Sequence, residues 1–219
     1  MSLKDLEKKL GYYFNDISLL ELALIHKSSN NSSNNERLEY LGDSILTGVI
    51  SEYLFLKFPD EKEGKLTRMR SFLVKGETLT KKANELDLVM FIKLSKGTAN
   101  LSENRKYSIL EGSIESVIGA IFLDNGWDKA KSFILEIFSK ELSELGSDQE
   151  FRDSKTELQE LLQSKKLKPP TYISKESHNG FNCEVELNKN IFTATGNSKR
   201  QAEIAAAKNA LEQIKHTNA

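Results

Sequence analysis

The chain has 219 residues, 38% hydrophobic and 29% charged, enough for one large or two ordinary domains with buried cores. Its formal net charge of −1 excludes reading a partner from overall charge, although residues from Arg152 onward are mildly basic and the part before them mildly acidic. One cysteine, Cys183, excludes an internal disulfide and suits a reducing cytoplasm, and no apolar run approaches the roughly 20 residues of a membrane span.

The N-terminus, "MSLKDLEKKL", is charged and helical in pattern, without a secretory apolar region. "SLLELALIHKS" spaces its apolar residues as a helix does, and His26 in it reads as a hydrogen-bonded structural residue rather than a ligand. "SSNNSSNNE" is a polar loop that also supplies a helix start. The following stretch, "NNERLEYLGDSIL", is apolar nearly all round but carries Glu36, Glu39 and Asp43, within about 60° of one another at helical spacing. Leu46 and Ile50 continue that stripe as apolar residues, so the stripe heads toward an interior. Gly42 and Gly48 permit another backbone to approach. Alone, this helix reads rather as a solvated face, its charges screened by Arg37 and lysine neighbours.

Pro59 and "DEKEG" mark a loop, after which Leu66, Met69 and Leu73 restart a helix. "GETLTKKANELDLVMFIKL" and "WDKAKSFILEIFSKELSEL" show further helical spacing, with "SKGTANLSENRKYS" as a polar loop between them. "SILEGSIESVIGAIFLD", Ser108 to Asp124, is a second apolar helix with an embedded acid, Glu115, flanked on its face by Gly112 and Gly119 and at its edge by Glu111. Two such helices predict a close crossing at which carboxylates gather. Unpaired buried charges are costly, so gathered carboxylates call for a cation, and hard oxygen ligands suit Mg²⁺ acting on phosphodiesters. No His/Cys set for zinc, no nucleophilic triad around Ser44 and no complete nucleotide-binding loop is present.

Past "LGSDQEFRDSK" the pattern changes. "SKTELQELLQSKK" predicts a short helix, "TYISKE", "FNCEVELN" and "IFTATGN" alternate as strands, and "SKRQAEIAAAKNALEQIK" predicts an Ala-rich helix. The expected architecture is a mainly α domain over 1–146, a linker over 147–153, and a small α+β domain of order α-β-β-β-α over 154–219.

On these residues the chain resembles the ribonuclease III family. "NNERLEYLGDSIL" is similar to that family's signature, usually ERLEFLGD, and the likeness continues through "ALIHKS", "EGKLTRMRSFLVKGETL", "IESVIGAIFLDNGW" and a C-terminal region resembling a double-stranded-RNA-binding domain. The resemblance implies a homodimeric, Mg²⁺-dependent endonuclease of double-stranded RNA, with Mn²⁺ able to substitute. It also implies no membrane or small-molecule substrate, 5′-phosphate and 3′-hydroxyl products with short 3′ overhangs, and a role in ribosomal RNA processing and messenger turnover. By position it assigns Glu39, Asp43 and Glu115 to the metal, with Asp43 and Glu115 catalytic. Glu63 matches an acid of the family's dimeric cleft, and a solvated loop residue is the equal alternative. Glu36 matches the first Glu of the signature.

The family's remaining metal-ligand Asp falls on Gly112, which has no side chain to ligate with. Three readings stay open: water replaces the carboxylate in a slower enzyme, Glu111 swings in, or the chain binds RNA without efficient cutting. In the second domain the resemblance assigns RNA contacts to Thr156, Gln159 and Glu160 on the first helix. It assigns others to His178 in a shortened hairpin loop and to Lys199 and Arg200 at a helix start, where free N–H groups add positive potential.

Overall fold

A computed structural model describes residues 2–29, 32–95, 103–146, 154–177, 180–187 and 190–217, the side chains of 103, 104 and 215–217 excepted. The chain divides into two compact units, Met1–Gln149 and Glu150–Ala219. The linker expected at 147–153 lies outside the described residues.

The first unit is helical. α1 (Leu3–Leu10) opens with a capping box between Ser2 and Asp5 and closes on Gly11 at φ 63°, and α2 (Ile17–Ala23) is capped by the Asp16 side chain. α3 (Glu36–Lys57) carries the acidic signature, and α4 (Glu63–Leu73) buries Met69 and Leu73. α5 (Gly76–Glu85) is followed by a 3₁₀ turn at Leu88–Met90. α6 (Glu103–Ile137) is broken at Gly126, whose φ of 76° and ψ of −168° no other residue type adopts readily, and α7 (Ser139–Ser143) follows.

Three helical expectations need correction. α2 stops at Ala23, because Ile25 forms a bridge to Lys93, so His26 lies beyond the helix. The helix expected through "GETLTKKANELDLVMFIKL" ends at Glu85: Asp87 takes a left-handed conformation at φ 54°, and the turn it makes buries Leu88 completely. The helix starting near Trp127 is interrupted at Phe138, which is fully buried between α6 and α7 in the chain.

α3 and α6 form the axis of this unit. Leu46, Val49 and Ile50 of α3 and Ile114, Val117, Ile118 and Ile121 of α6 have no solvent exposure. The two backbones meet at glycines: a Cβ on Gly42 would overlap the Glu115 carbonyl oxygen, and one on Gly119 would overlap the Leu38 carbonyl oxygen. Gly48 serves differently from the expectation, since a Cβ there would meet the Trp127 ring, at 3.1 Å, rather than a backbone. Asn35 sets the start of α3. Its N–H donates to the Ile25 carbonyl, its side-chain amide donates to the Ala23 carbonyl, and its carbonyl accepts from the Ser116 hydroxyl of α6.

The second unit has the expected order. α8 (Ser154–Ser164) precedes β1 (Thr171–Ser177), β2 (Gly180–Leu187) and β3 (Asn190–Gly196), and α9 (Lys199–Thr217) closes it. The strands form an antiparallel meander, β1-β2-β3. Its core joins Leu158 and Leu162 of α8, Cys183, Val185 and Leu187 of β2, and Ala202, Ala206, Ala207, Ala210 and Leu211 of α9. On α9 Ala205 is only half-buried, whereas Ala207 and Ala210 have no solvent exposure.

Candidate active site

The α3–α6 crossing brings together the acids singled out in the sequence. Glu39 is half-buried and Asp43 exposed on α3, while Glu115 on α6 keeps only 9% of its surface exposed. No hydrogen bond or ion pair reaches Glu115 among the described residues. Burial pushes its carboxyl up to about 8, and the neighbouring Asp43, Glu111 and Glu39 add to the shift. Burial also raises Glu39, an effect that Lys27 opposes and Glu36 and Glu111 reinforce. Burial and Asp43 together raise Glu111. Four carboxylates thus share one electrostatic environment, in which Glu115 has acids and no base for neighbours.

Gly112 is not an empty place in this cluster. The Glu39 carboxylate lies over it, with Cδ and Oε2 each 2.7 Å from where a Cβ would stand. Glu111, one residue earlier, lays its carboxylate over Gly76 at the start of α5, with its oxygens 2.8 and 2.9 Å from the corresponding Cβ position. Helix periodicity had set Glu111 on the flank of the acidic face. Its seat depends on Gly76, a glycine far off in sequence whose only local signal is the helix start "KGET".

The donor set suits a hard divalent cation, since it offers only carboxylates around a buried and otherwise unpaired member. The side chains are not drawn together into a finished cage: among the described residues no three His, Cys, Asp or Glu groups stand close enough to hold an ion as placed.

The flanking residues are accounted for separately. Glu36 pairs with Lys27 at 3.0 Å; Glu63 is not a loop residue but opens α4, exposed, and accepts there from the Thr67 hydroxyl at 2.9 Å. His26 shares its Nδ1 with the Ser28 hydroxyl at 2.8 Å and accepts there from the Ser28 N–H at 3.1 Å, and burial lowers its pKa.

In the second unit, Thr156, Gln159 and Glu160 stand exposed on one face of α8, opposite buried Leu158 and Leu162. Lys199 and Arg200 are exposed in the first turn of α9, where Ser198 caps the helix by accepting from the Gln201 N–H at 3.3 Å. Ser177 of β1 pairs with Gly180 of β2, so only two residues join these strands. His178 is one of them and lies outside the described residues.

A helical unit with carboxylates gathered at its central crossing, joined to a unit presenting exposed cations at a helix start, is the build of a nuclease for duplex RNA. Residues 16–142 match the family described as ribonuclease-III-like, and residues 154–214 match the double-stranded RNA binding motif. The chain is 43% identical over 216 residues to Ribonuclease 3 of Vibrio parahaemolyticus, covering 95% of this chain and 96% of that one. It is 42% identical over 221 residues to Ribonuclease 3 of Actinobacillus pleuropneumoniae, covering 98% and 99%. The crystal structure of the nuclease domain of the Campylobacter jejuni ribonuclease III superposes with a TM-score of 0.62 at 42% identity, covering 66% of this chain and 99% of that one. The chain belongs to the ribonuclease III family. It is an endoribonuclease of double-stranded RNA.

Among the described residues no helix is long and apolar enough to cross a membrane.

Proposed function

We propose that the chain cuts double-stranded RNA by hydrolysis at the α3–α6 crossing, with Glu39, Asp43 and Glu115 holding Mg²⁺ and Mn²⁺ able to substitute. When bound, the cation would neutralise charge on the scissile phosphodiester and lower the pKa of the attacking water. The observation that carries this reading is Glu115, a nearly buried carboxylate surrounded by other acids and lacking a basic partner.

The residues of the chain have separable tasks. Asp43, exposed at the rim, stands where it meets both solvent and substrate. Glu115 is held below it by the glycine-mediated approach of α3 to α6, which keeps water from solvating its charge. Glu39 lies over Gly112, three residues before Glu115 on α6. In the second unit Lys199 and Arg200 supply phosphate contacts at a helix start, while Thr156, Gln159, Glu160 and His178 face the minor groove.

The product ends are 5′-phosphate and 3′-hydroxyl with short 3′ overhangs, made by two chains acting as a homodimer on one duplex. A region of the Campylobacter jejuni nuclease domain is described as involved in dimer formation, which supports this assembly. The work is cytoplasmic, in ribosomal RNA processing and messenger turnover, with no small-molecule substrate and no membrane partner.

A second reading, an RNA-binding protein whose site no longer cuts, rests on Gly112. Cleavage of an end-labelled duplex in Mg²⁺ and then Mn²⁺ separates the two. The parent chain is expected to cut and Glu115→Gln and Asp43→Asn to lose cutting while still binding the duplex. Cutting by Glu115→Gln at the parent's rate would overturn the assignment of the site.

A further inference from the structure

The ribonuclease III pattern places an acid where this chain has Gly112, and the structure around that glycine shows what has happened to the missing charge. We infer that Glu111 supplies, from one position earlier on α6, the fourth carboxylate of the cation site. The inference rests on the proposed function of the α3–α6 crossing and names the ligand set of that same site.

Three placements carry it. First, Gly112 leaves no vacancy, because Glu39 lays its carboxylate into the space a side chain there would need, 2.7 Å from the Cβ position. An acid at 112 and Glu39 in this position exclude each other, so the site is organised around the glycine. Second, Glu111 does not turn away to solvent. Its carboxylate is half-buried over Gly76, at the N-terminal end of α5, where free backbone N–H groups favour a negative charge. Any side chain at 76 would close that seat, with the carboxylate oxygens already 2.8 and 2.9 Å from its Cβ position. Third, the buried Glu115 has no hydrogen-bonding or basic partner among the described residues. Glu111 stands four residues before it on α6, one turn along the same face, and the next residue, Gly112, lies under the Glu39 carboxylate.

The geometry also says what the substitution costs. An Asp on 112 would project directly from the helix face, whereas Glu111 starts about 100° round the helix and needs its longer side chain to reach in. Glu111 must leave Gly76 to ligate, so the site closes on the ion rather than waiting for it. The resulting site is weaker than one built with an acid at 112, and it gains when that acid is restored.

The test is Mn²⁺ binding to the full chain without RNA, read by electron paramagnetic resonance of the free ion and by calorimetry. The variants are Glu111→Gln, Glu115→Gln, Gly112→Asp and the double variant Glu111→Gln/Gly112→Asp. Glu111→Gln is expected to weaken Mn²⁺ at least about tenfold, on the scale of losing a well-placed supporting group or more. Gly112→Asp in that background is expected to restore the affinity, because Glu39 can rotate aside. Rescue of this kind distinguishes a lost ligand from general damage to the fold, which a new acid at 112 would not repair. If Glu111→Gln binds as the parent does while Glu115→Gln has lost the ion, Glu111 has no part in the site and this inference fails alone. If Glu115→Gln also binds as the parent does, the acid cluster is not the cation site and both readings fail.

Discussion

The carboxylate of Glu39 lies where the side chain of residue 112 would begin, with Oε2 2.7 Å from the position of a Cβ on Gly112. One helix of the crossing thus fills a space that the other leaves open, and a residue missing from α6 is paired with the placement of a residue on α3. Gly112→Ala tests the pairing without adding a charge. Alanine should raise helix stability by up to about 1 kcal/mol over a mid-helix glycine. It should also displace Glu39 and lower the cleavage rate by about tenfold to a hundredfold, the scale of a misplaced catalytic group. Urea unfolding beside single-turnover cleavage would show the two effects with opposite signs.

Gly42 and Gly119 set how closely the helices approach. At both positions a Cβ would run into the backbone of the opposing helix, which cannot rotate aside. Gly42→Ala should therefore destabilise the protein by about 3 kcal/mol, as overpacked core sites do. Gly48→Ala should cost much less, because the new Cβ would meet only the edge of the Trp127 ring, at 3.1 Å. The comparison is of urea midpoints with unchanged slopes.

Asp124 ties α6, just before its break at Gly126, to the N-terminal segment. Its carboxylate accepts from the Tyr12 hydroxyl at 2.7 Å and from the N–H groups of Asn15 at 3.0 Å and Asp16 at 2.8 Å. Burial raises its pKa, but those bonds and one from Asn125 outweigh it and leave the group below its ordinary 3.8. A depressed carboxylate contributes stability that is present above the unfolded value and lost as pH falls through the folded one. Thermal melts of the parent should therefore fall in acid below about pH 4 more steeply than those of Asp124→Asn, which should already be less stable at neutral pH.

Lys199 and Arg200 should act through phosphate charge alone. Alanine at either position should weaken duplex binding similarly for unrelated sequences and reduce the slope of log affinity against log salt by about 1. Fluorescence anisotropy over a series of KCl concentrations measures both. Lys155→Ala should behave otherwise, since Lys155 is bound to Glu203 at 2.7 Å and lies over the Tyr172 ring at 4.6 Å. Its loss should reduce the stability of this unit rather than the salt slope.

The sequence by itself determined the local pattern: the helical stripe of Glu36, Glu39 and Asp43, the glycines of α6, the α-β-β-β-α order and the exposed cations at the start of α9. These are readable because a side chain's face follows from a period of 3.6 or 2 along a few neighbouring residues. The same rule misled where a distant contact outweighed the period. The helix after Gly76 looked continuous to Leu94, yet Asp87 turns left-handed so that Leu88 can enter the core. Gly48 looked like a backbone crossing and is the seat of a tryptophan ring. Only the tertiary structure decided that Glu39 covers Gly112 and that Glu111 rests on Gly76. Which group fills a given volume depends on how closely segments far apart in the chain are packed, and periodicity along one helix carries no record of that distance.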